Sequence, residues 1–244
     1  MTQQTSALIQ IESILNEAVE VGLSWSARRA ELSIDEKSLG QFASDADLEI
    51  EHLVRAKLGE TFPGEAIIGE EYGGALSAEQ SGWAIDPIDG TSNFILGLPI
   101  WAISFGYLDQ GRSVLGGVAI PDLGLMISAQ AGRGLRLNGT AYQSPASPNL
   151  MRTISLGEND YETGAETDAR AERLRSEGYS VVRYRCAGFS LAMSALGRLG
   201  GYVEHGCGLW DIAGPGVICR EAGLEVTTRQ VAPGRYAIDA RWQR

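Results

Sequence analysis

Two aspartates flank a rigid bend in the segment from residue 83 to residue 99, WAIDPIDGTSNFILGLP. A strand-like run that begins at Trp83 reaches Asp86, and Asp89 follows three positions later with Pro87 between them. Because the fixed φ angle of proline holds a bend, both carboxylates can project toward one point. Two like charges held together require a cation or a proton. The pattern therefore predicts a site for a metal ion at the end of a buried strand.

The residues that follow the second aspartate suit an anion. Gly90 has no side chain that would keep a ligand away, and residues 91 to 97, TSNFILG, can open a short helix with free N–H groups. An isolated Asp-Gly pair most often marks an ordinary turn. The full string D-P-x-D-G-T, however, is expected by chance on the order of once in ten thousand chains of this length. We therefore interpret the segment as a metal site beside a phosphate cradle.

Other acidic residues lie where strands end or helices begin. They are Glu70, Glu71, Asp47, Glu51 and Asp211. Each has an ordinary explanation of its own, as a solvated strand end, a partner of the helix dipole or a helix N-cap. Neighbouring strands can nevertheless bring the end of the run AIIGEE beside Asp86, which makes Glu70 and Glu71 candidate ligands.

The candidate ligands offer oxygen atoms, which are the ligands of hard cations. The two histidines, His52 and His205, are not paired by their spacing. Oxygen ligands favour Mg²⁺ or Mn²⁺ over Zn²⁺. Carboxylates beside a phosphate cradle indicate metal-assisted transfer of a phosphoryl group to water.

Composition narrows the class of protein. A chain of 244 residues is long enough for one large α/β domain or two packed halves. Its formal net charge of −11 disfavours a nucleic-acid or anionic-membrane surface. Three widely spaced cysteines, Cys186, Cys207 and Cys219, indicate neither a disulfide framework nor a zinc site. No secretory leader or run of about 20 apolar residues is present, so we expect a cytoplasmic protein with no membrane partner.

Periodicity suggests the elements that position these residues. Residues 7–23 are predicted to form a helix, and a second predicted helix begins near residue 43 and ends before Pro63-Gly64. Short β-rich runs follow from residue 66 onward. Asn138-Gly139 predicts a hairpin. Residues 144–170 are rich in proline, serine and acids, and predict the join between two halves. The alternation of strands and helices after the join favours a layered α/β arrangement.

The motifs as a set resemble the inositol monophosphatase family. The similarity runs nearly end to end through SDADLEIE, IGEE, WAIDPIDGTSNF, GRGLRLNG, RCAGFSLAMSALGRLGGYVE and LWDIAGPGVICREAG. It implies an αβαβα sandwich of the inositol monophosphatase and fructose-1,6-bisphosphatase type. One phosphatase domain would span residues 1–244, with most metal ligands in an N-terminal half, 1–145, and the substrate pocket in 146–244. It also implies a homodimer that hydrolyses a small phosphomonoester with Mg²⁺ and is inhibited by lithium.

Roles for single residues follow from the same resemblance. It implies one ion held by Glu70, Asp86 and the Ile88 carbonyl group, and a second held by Asp86, Asp89 and Asp211. Asp47 would help to hold a third, weaker ion, and Mn²⁺ could substitute for Mg²⁺. Glu70 and Thr91 would position and activate the attacking water. The substrate would contact Asp89, Gly90, Thr91, Ser92, Phe189 and Glu204.

The identity of the substrate depends on departures from the family pattern. Phe189 stands where many relatives have serine, threonine or, in the histidinol-phosphate branch, an acid. Ser92-Asn93 follows the inositol-type pattern, so inositol-1-phosphate is the expected substrate. The alternatives are histidinol phosphate, 3′-phosphoadenosine 5′-phosphate and fructose-1,6-bisphosphate. Lys37 lies where relatives carry a basic residue that aids phosphate binding, and is otherwise an ordinary surface lysine.

A non-catalytic paralogue that binds a sugar phosphate and regulates a partner is the alternative from another class of protein. All the expected acids are retained, and clustered carboxylates destabilise a protein that holds no cation. Thr91 beside Glu70 would serve no purpose in binding alone. We therefore expect an enzyme.

Overall fold

A computed structural model describes residues 2–38, 41–76, 80–145 and 152–243. Its helices are α1 (Thr2–Ala27), α2 (Asp45–Thr61), α3 (Thr91–Ile95), α4 (Gly164–Ser176), α5 (Ala187–Ala195) and α6 (Leu209–Ala222). Its strands are β1 (Ile34–Ser38), β2 (Gln41–Ser44), β3 (Ala66–Gly69), β4 (Gly82–Asp89), β5 (Ala102–Asp109), β6 (Arg112–Ile120), β7 (Leu125–Gln130), β8 (Leu135–Leu137), β9 (Thr140–Tyr142), β10 (Thr153–Leu156), β11 (Ser180–Val182), β12 (Gly201–Cys207), β13 (Glu225–Ala232) and β14 (Arg235–Arg241).

A seven-stranded sheet carries β3 to β9 in sequence order. Its pairs are antiparallel except for β3 and β4, which run parallel. Helices α1 and α2 cover one face, where Leu15, Ile50 and Phe105 share a buried cluster with Trp83. Both faces of β4 are buried along its whole length. Burial of this kind requires a helical layer on the other face as well.

That second layer consists of α5 and α6, which lie between the first sheet and a five-stranded sheet of order β11-β10-β12-β14-β13. A buried cluster that includes Val118, Leu191 and Ile238 joins the three layers. Helix α4 covers the outer face of the second sheet through Ala171 and Leu174. The layers therefore follow the order αβαβα, which confirms the expected fold class.

The helices and the hairpin of the first half follow the sequence closely. Helix α1 extends beyond the predicted 7–23, and α2 begins after its N-cap, Ser44. Strands β8 and β9 pair antiparallel around Asn138-Gly139, which confirms the predicted hairpin. No described helix is long and apolar enough to cross a membrane.

The predicted join at 144–170 contains regular structure that composition did not reveal. Strand β10 and the start of α4 lie inside it. Thr163 is the N-cap of α4 in a capping box: its hydroxyl accepts a hydrogen bond from the Glu166 N–H at 3.3 Å, and its own N–H donates to the Glu166 carboxylate at 2.8 Å. Residues 146–151 lie outside the described residues. The division at residue 145 stays a prediction, although the first sheet ends at Tyr142 and the second begins at Thr153.

Candidate active site

Parallel pairing of β3 with β4 places Glu70 beside Asp86. Gly69 lies opposite Ile85 in the register, so the two acids follow at the same level of adjacent chains. The Glu70 backbone N–H donates a hydrogen bond of 3.2 Å to the Ile85 carbonyl. The two acids are therefore neighbours because of the strand register.

The sequence predicts that the strand ends at Asp86. Strand β4 instead continues to Asp89. Asp86 pairs with Ser104, and pairing resumes at Asp89 with an irregular register between. Pro87 has no N–H group to donate, which interrupts the ladder without ending the strand. Both aspartates are thus held by the sheet, within a strand that is buried throughout.

Gly90 turns the chain from β4 into α3. Its φ of +84° lies in the left-handed region, and it forms the N-cap of the helix. A Cβ atom at Gly90 would lie 3.1 Å from the Ile100 carbonyl oxygen and 3.1 Å from Cys186 Cβ. Both the backbone angle and the close neighbours therefore favour glycine here.

Asp47 reaches the same region from the first turn of α2. It is fully buried, and its Oδ2 atom accepts hydrogen bonds from the backbone N–H and hydroxyl of Ser44, at 2.8 and 2.6 Å. The Thr91 hydroxyl lies 3.2 Å from Asp47 Oδ1 and 2.9 Å from the Ile88 carbonyl oxygen. Thr91 thus links α2 to the bend that follows Asp86.

At the N-termini of the two middle-layer helices, α5 and α6, backbone N–H groups donate hydrogen bonds to aspartates of the site. The Asp211 Oδ2 atom accepts a hydrogen bond of 2.6 Å from the Gly208 N–H at the start of α6. The Asp89 carboxylate accepts one from the Gly188 N–H in α5. Asp211 is therefore an N-terminal capping residue of its helix and a site residue at once.

These elements converge on one cavity. Among the predicted site residues, those that line it are Glu70, Asp86, Ile88, Asp89, Gly90, Thr91, Ser92, Glu204 and Asp211. The cavity of about 110 Å³ has room for several water-sized groups, since a water occupies roughly 30 Å³ of liquid. Asp47 does not line the cavity, but its carboxylate accepts a hydrogen bond from Thr91, which does.

Phe189 is a second predicted site residue that lies outside the cavity lining. Its ring is buried in the middle layer and meets Tyr184 edge to face, with ring centres 5.1 Å apart. The expectation of a bulky pocket wall at Phe189 has no support here, because α5 directs this ring into the core.

Burial and mutual repulsion raise the pKa values of the clustered carboxylates. Burial is the largest cause of the raised pKa of Asp86, and three neighbouring charges add to it: Asp89, Glu70 and Asp211. Burial also dominates the raised pKa of Asp211, with smaller contributions from the acids around it. The isolated protein therefore favours protons on these groups at a pH where free carboxyl groups are ionised.

Two carboxylates have pKa values near neutrality. Burial raises the pKa of Asp47 to about 7 against the opposing hydrogen bond from Ser44. Burial likewise raises the pKa of Asp89 to about 7, although the Gly188 N–H group lowers it. A cation would replace these protons, because it favours the ionised form.

Lys37 supplies a positive charge at the edge of the cluster. Its Nζ atom lies 2.5 Å from Glu71 Oε1 and 3.3 Å from Glu70 Oε1. Burial raises the pKa of both acids, and the Lys37 ammonium lowers the two pKa values by less than burial raises them. Lys37 therefore contacts the predicted ligand Glu70 itself, and is more than an isolated surface lysine.

The chemistry of the cluster fits a hard cation. The buried Asp86 Oδ1 atom has no hydrogen-bond partner, and the surrounding donors are carboxylate and carbonyl oxygens. Within the described ranges, no three Asp, Glu, His or Cys side chains already form a ready-made ligand group. Several carboxylates are instead turned to protein donors, so ion binding requires them to reorient.

Sequence reasoning did not single out several residues that line the cavity. They include Gly157, Glu158, Asn159, Arg185, Cys186 and Tyr202. Asn159 Nδ2 donates a bond of 2.9 Å to Glu204 Oε1, and the Tyr202 hydroxyl donates to Glu204 Oε2. A signal existed for Tyr202, because it lies two residues before Glu204 on one strand and so shares its face.

Comparison with known proteins places the chain among relatives of one type. A family model described as the inositol monophosphatase family matches residues 2–240. An uncharacterized protein y4fL of Sinorhizobium fredii is 38% identical over 240 residues, which cover 95% of this chain and 84% of the relative. An inositol-1-monophosphatase of Mesorhizobium japonicum is 31% identical, covering 89% and 84%. A histidinol-phosphatase of Mycobacterium tuberculosis is 33% identical, covering 86% and 83%.

Solved structures share the fold. The extragenic suppressor protein suhB of Bartonella henselae has a TM-score of 0.85 at 23% identity, covering 97% of this chain and 94% of that one. A structure described as an IMPase/NADP phosphatase complexed with Mg²⁺ and phosphate has a TM-score of 0.79 at 22% identity, covering 98% and 91%. The chain therefore belongs to the inositol monophosphatase family, whose members are phosphatases that hydrolyse phosphomonoesters.

Proposed function

We propose that this protein hydrolyses inositol-1-phosphate in a reaction that requires Mg²⁺. One observation carries the proposal: carboxylates from separate parts of the chain line a single cavity together with the start of α3. Glu70, Asp86, Asp89 and Asp211 supply oxygen ligands, and Gly90 turns the chain into α3 beside them. This combination suits a doubly charged phosphate held by divalent cations.

We assign the ligands as the family resemblance implies them. Glu70, Asp86 and the Ile88 carbonyl would hold one Mg²⁺, and Asp86, Asp89 and Asp211 a second. Bound Mg²⁺ would neutralise phosphate charge and lower the pKa of a bound water. The partnerless Asp86 Oδ1 atom supports its place as the ligand shared by both ions.

Thr91 and Glu70 would act on the attacking water. The Thr91 hydroxyl has two acceptors within reach, Asp47 Oδ1 and the Ile88 carbonyl oxygen, so its proton is held and its lone pairs are oriented. The Glu70 carboxylate would accept the proton of the water. Asp47 would serve a third, weaker ion or position Thr91.

The phosphate and the alcohol would bind on opposite sides of the cavity. Ser92 and the N–H groups after Gly90 would face the phosphate. Glu204 is buried between Tyr202 and Asn159, which hold its two oxygens in place, and would accept a hydrogen bond from a hydroxyl of the alcohol. Asp89 would also contact the substrate.

The comparisons support this assignment and one alternative. Relatives named inositol-1-monophosphatase favour inositol-1-phosphate, and the solved relative described with Mg²⁺ and phosphate favours Mg²⁺ as the cofactor. The relative named histidinol-phosphatase is as similar, at 33% identity, and makes histidinol phosphate the second candidate. The proposal also includes two or three bound ions and the substitution of Mn²⁺ for Mg²⁺.

Assembly and location complete the proposal. A homodimer is supported by the family resemblance, and a cytoplasmic location by three buried cysteines that form no disulfide in the described chain. A net charge of −11 disfavours nucleic acid as a partner.

Phosphate release from a panel of esters tests the proposed function. The panel contains inositol-1-phosphate, histidinol phosphate, fructose-1,6-bisphosphate and 3′-phosphoadenosine 5′-phosphate, each with and without Mg²⁺. We expect inositol-1-phosphate to have the highest kcat/KM. A large preference for histidinol phosphate would replace the substrate and keep the chemistry. Release from none of the esters, with Mg²⁺ binding intact, would favour the regulatory alternative.

A further inference from the structure

We infer that Glu51 and Arg55 form a clamp that positions Glu70 for Mg²⁺, although neither of them lines the cavity. The inference rests on the proposed function, in which Glu70 is a metal ligand. Both residues lie on α2, one and two helical turns after Asp47. They are positioning residues, since the described contacts reach Glu70 only through the backbone.

Glu51 is a fully buried carboxylate whose partners surround the turn after β3. Its Oε2 atom accepts a hydrogen bond of 2.7 Å from the Glu71 N–H, and its Oε1 atom accepts one of 3.2 Å from the Tyr72 N–H. Arg55 Nε donates to Oε1 at 2.7 Å. Two of these three donors belong to the two residues directly after Glu70.

Arg55 holds the same turn by its carbonyl groups. Its Nη1 atom donates to the Ile67 carbonyl at 3.3 Å, and its Nη2 atom to the Gly73 carbonyl at 2.5 Å. The Gly69 N–H closes the turn by a bond of 2.9 Å to Gly73. The clamp therefore binds N–H groups through Glu51 and carbonyl groups through Arg55, with Glu70 inside the clamped loop.

Gly69 allows this close approach. A Cβ atom at Gly69 would lie 2.0 Å from Glu51 Oε1, so any side chain there would displace the carboxylate. A buried ion pair alone is a poor source of stability, because apolar residues of similar volume fill such a space as well or better. Its placement against the loop that carries Glu70 therefore indicates a role in geometry.

The clamp ties Glu70 to the other predicted ligands. The Glu70 N–H donates to the Ile85 carbonyl directly before Asp86, so the loop and β4 are joined at the metal site. A shift of the Glu71 or Tyr72 backbone would change the separation of the Glu70 and Asp86 carboxylates. Residues that orient metal ligands typically contribute about 10-fold to 100-fold in metal affinity.

Mg²⁺ binding to the Glu51→Gln variant tests the clamp. The amide keeps the size of the side chain but turns an NH₂ group toward one of the three donors, which loosens the loop. By calorimetric titration of the full chain, we expect Mg²⁺ affinity to fall about tenfold. Glu60→Gln, an exposed change on the same helix, is the matched control and should keep wild-type affinity.

A double variant separates positioning from general destabilisation. If Glu51 acts through Glu70, adding Glu51→Gln to Glu70→Gln should lower Mg²⁺ affinity no further than Glu70→Gln alone. Wild-type affinity in Glu51→Gln, or losses that add fully, would overturn the clamp and leave the proposed function standing. If Glu51→Gln does not fold, Arg55→Gln replaces it, and unchanged Mg²⁺ affinity in that variant would overturn the inference.

Failure of the proposed function has a different signature. Wild-type Mg²⁺ affinity in Glu70→Gln would remove Glu70 from the metal site and overturn the clamp with it. Absence of phosphate release from every ester would overturn the phosphatase assignment alone, because calorimetry reports on the clamp without turnover.

Discussion

At the scale of single residues, the site depends on carboxylates whose mutual repulsion is neutralised when a cation binds between them. Asp86 is the centre of this arrangement, since its pKa is raised by burial and then by three surrounding acids. The D-P-x-D-G-T string identified this position from sequence because few other roles need two acids, a bend and a glycine together. The orientation of Phe189 could not be predicted, because a residue's place in a motif says nothing about which face of its helix meets the core.

Replacement of the shared ligand should stop turnover without unfolding the protein. Asp86→Asn keeps the shape of the side chain, and we expect a loss of at least about a hundredfold in kcat, since charge stabilisation of the reacting phosphate would weaken. Phosphate release at saturating Mg²⁺ measures it. Asp109→Asn, an exposed acid at the end of β5, is the control. Near-wild-type turnover in Asp86→Asn would refute its assignment.

The Thr91 hydroxyl offers a second test at this scale. Thr91→Val removes the hydroxyl group at nearly constant shape, and should lower kcat by about a hundredfold if that group orients the attacking water. Thr91→Ser retains a hydroxyl and should stay within about tenfold of the wild type. Equal activity of the valine and serine variants would show that the hydroxyl has no role in turnover.

At the scale of elements, the site is assembled by strand pairing and helix starts. Helices α1 and α2 were predictable because their apolar residues repeat with the helical period. The pairing of β3 with β4 was only one of several open choices, since sequence does not specify which strands become neighbours or in which direction. Its parallel register is what sets Glu70 beside Asp86. The loop contacts of Glu51 were likewise invisible, because its spacing from Asp47 also suits simple dipole compensation.

The turn between β4 and α3 should tolerate no side chain. Gly90→Ala places a Cβ atom 3.1 Å from two neighbours at a φ of +84°, so we expect a lower melting temperature and lower turnover. Gly64→Ala is a matched control, because Gly64 has a φ of +88° with no atom within 4 Å of its added Cβ. Both variants carry the cost of the backbone angle, so thermal unfolding should show the larger loss for Gly90→Ala. Equal losses would mean that the contacts at Gly90 are unimportant.

At the scale of the whole molecule, three helical layers and two sheets enclose a cavity whose walls come from both halves of the chain. The N-terminal half contributes Glu70, Asp86 and Asp89, and the C-terminal half contributes Glu204 and Asp211. The layered fold was predictable from the alternation of elements together with the family motifs. Composition did not predict that α4 begins within 144–170, since its capping box is a local signal inside an otherwise turn-like segment.

Stability of the metal-free protein should fall as the pH rises. The pKa values of Asp47 and Asp89 are raised from 3.8 to about 7 in the folded state, so folding takes up protons between these values. The stabilising effect of those protons is complete at low pH and is lost as the pH rises through about 7. Thermal unfolding in a chelator from about pH 5 to pH 8 measures it.

Added Mg²⁺ should reverse this trend. Because carboxylate ligands bind the ion in their deprotonated form, Mg²⁺ should raise the melting temperature more at pH 8 than at about pH 5.5.

Asp47→Asn removes one of the two titrating groups and should flatten the dependence of the metal-free melting temperature on pH. A metal-free melting temperature that rises with pH would contradict the raised pKa values of these two buried acids.

The Mg²⁺ dependence of phosphate release by the wild-type protein tests the central claim most directly. Inositol-1-phosphate is incubated with purified protein across a series of Mg²⁺ concentrations, with a chelator as the zero point. We expect release that rises with Mg²⁺ to saturation and vanishes in the chelator, because the clustered carboxylates repel a phosphate unless cations lie between them. Release that persists undiminished in the chelator would contradict a metal-dependent site built on Glu70, Asp86, Asp89 and Asp211.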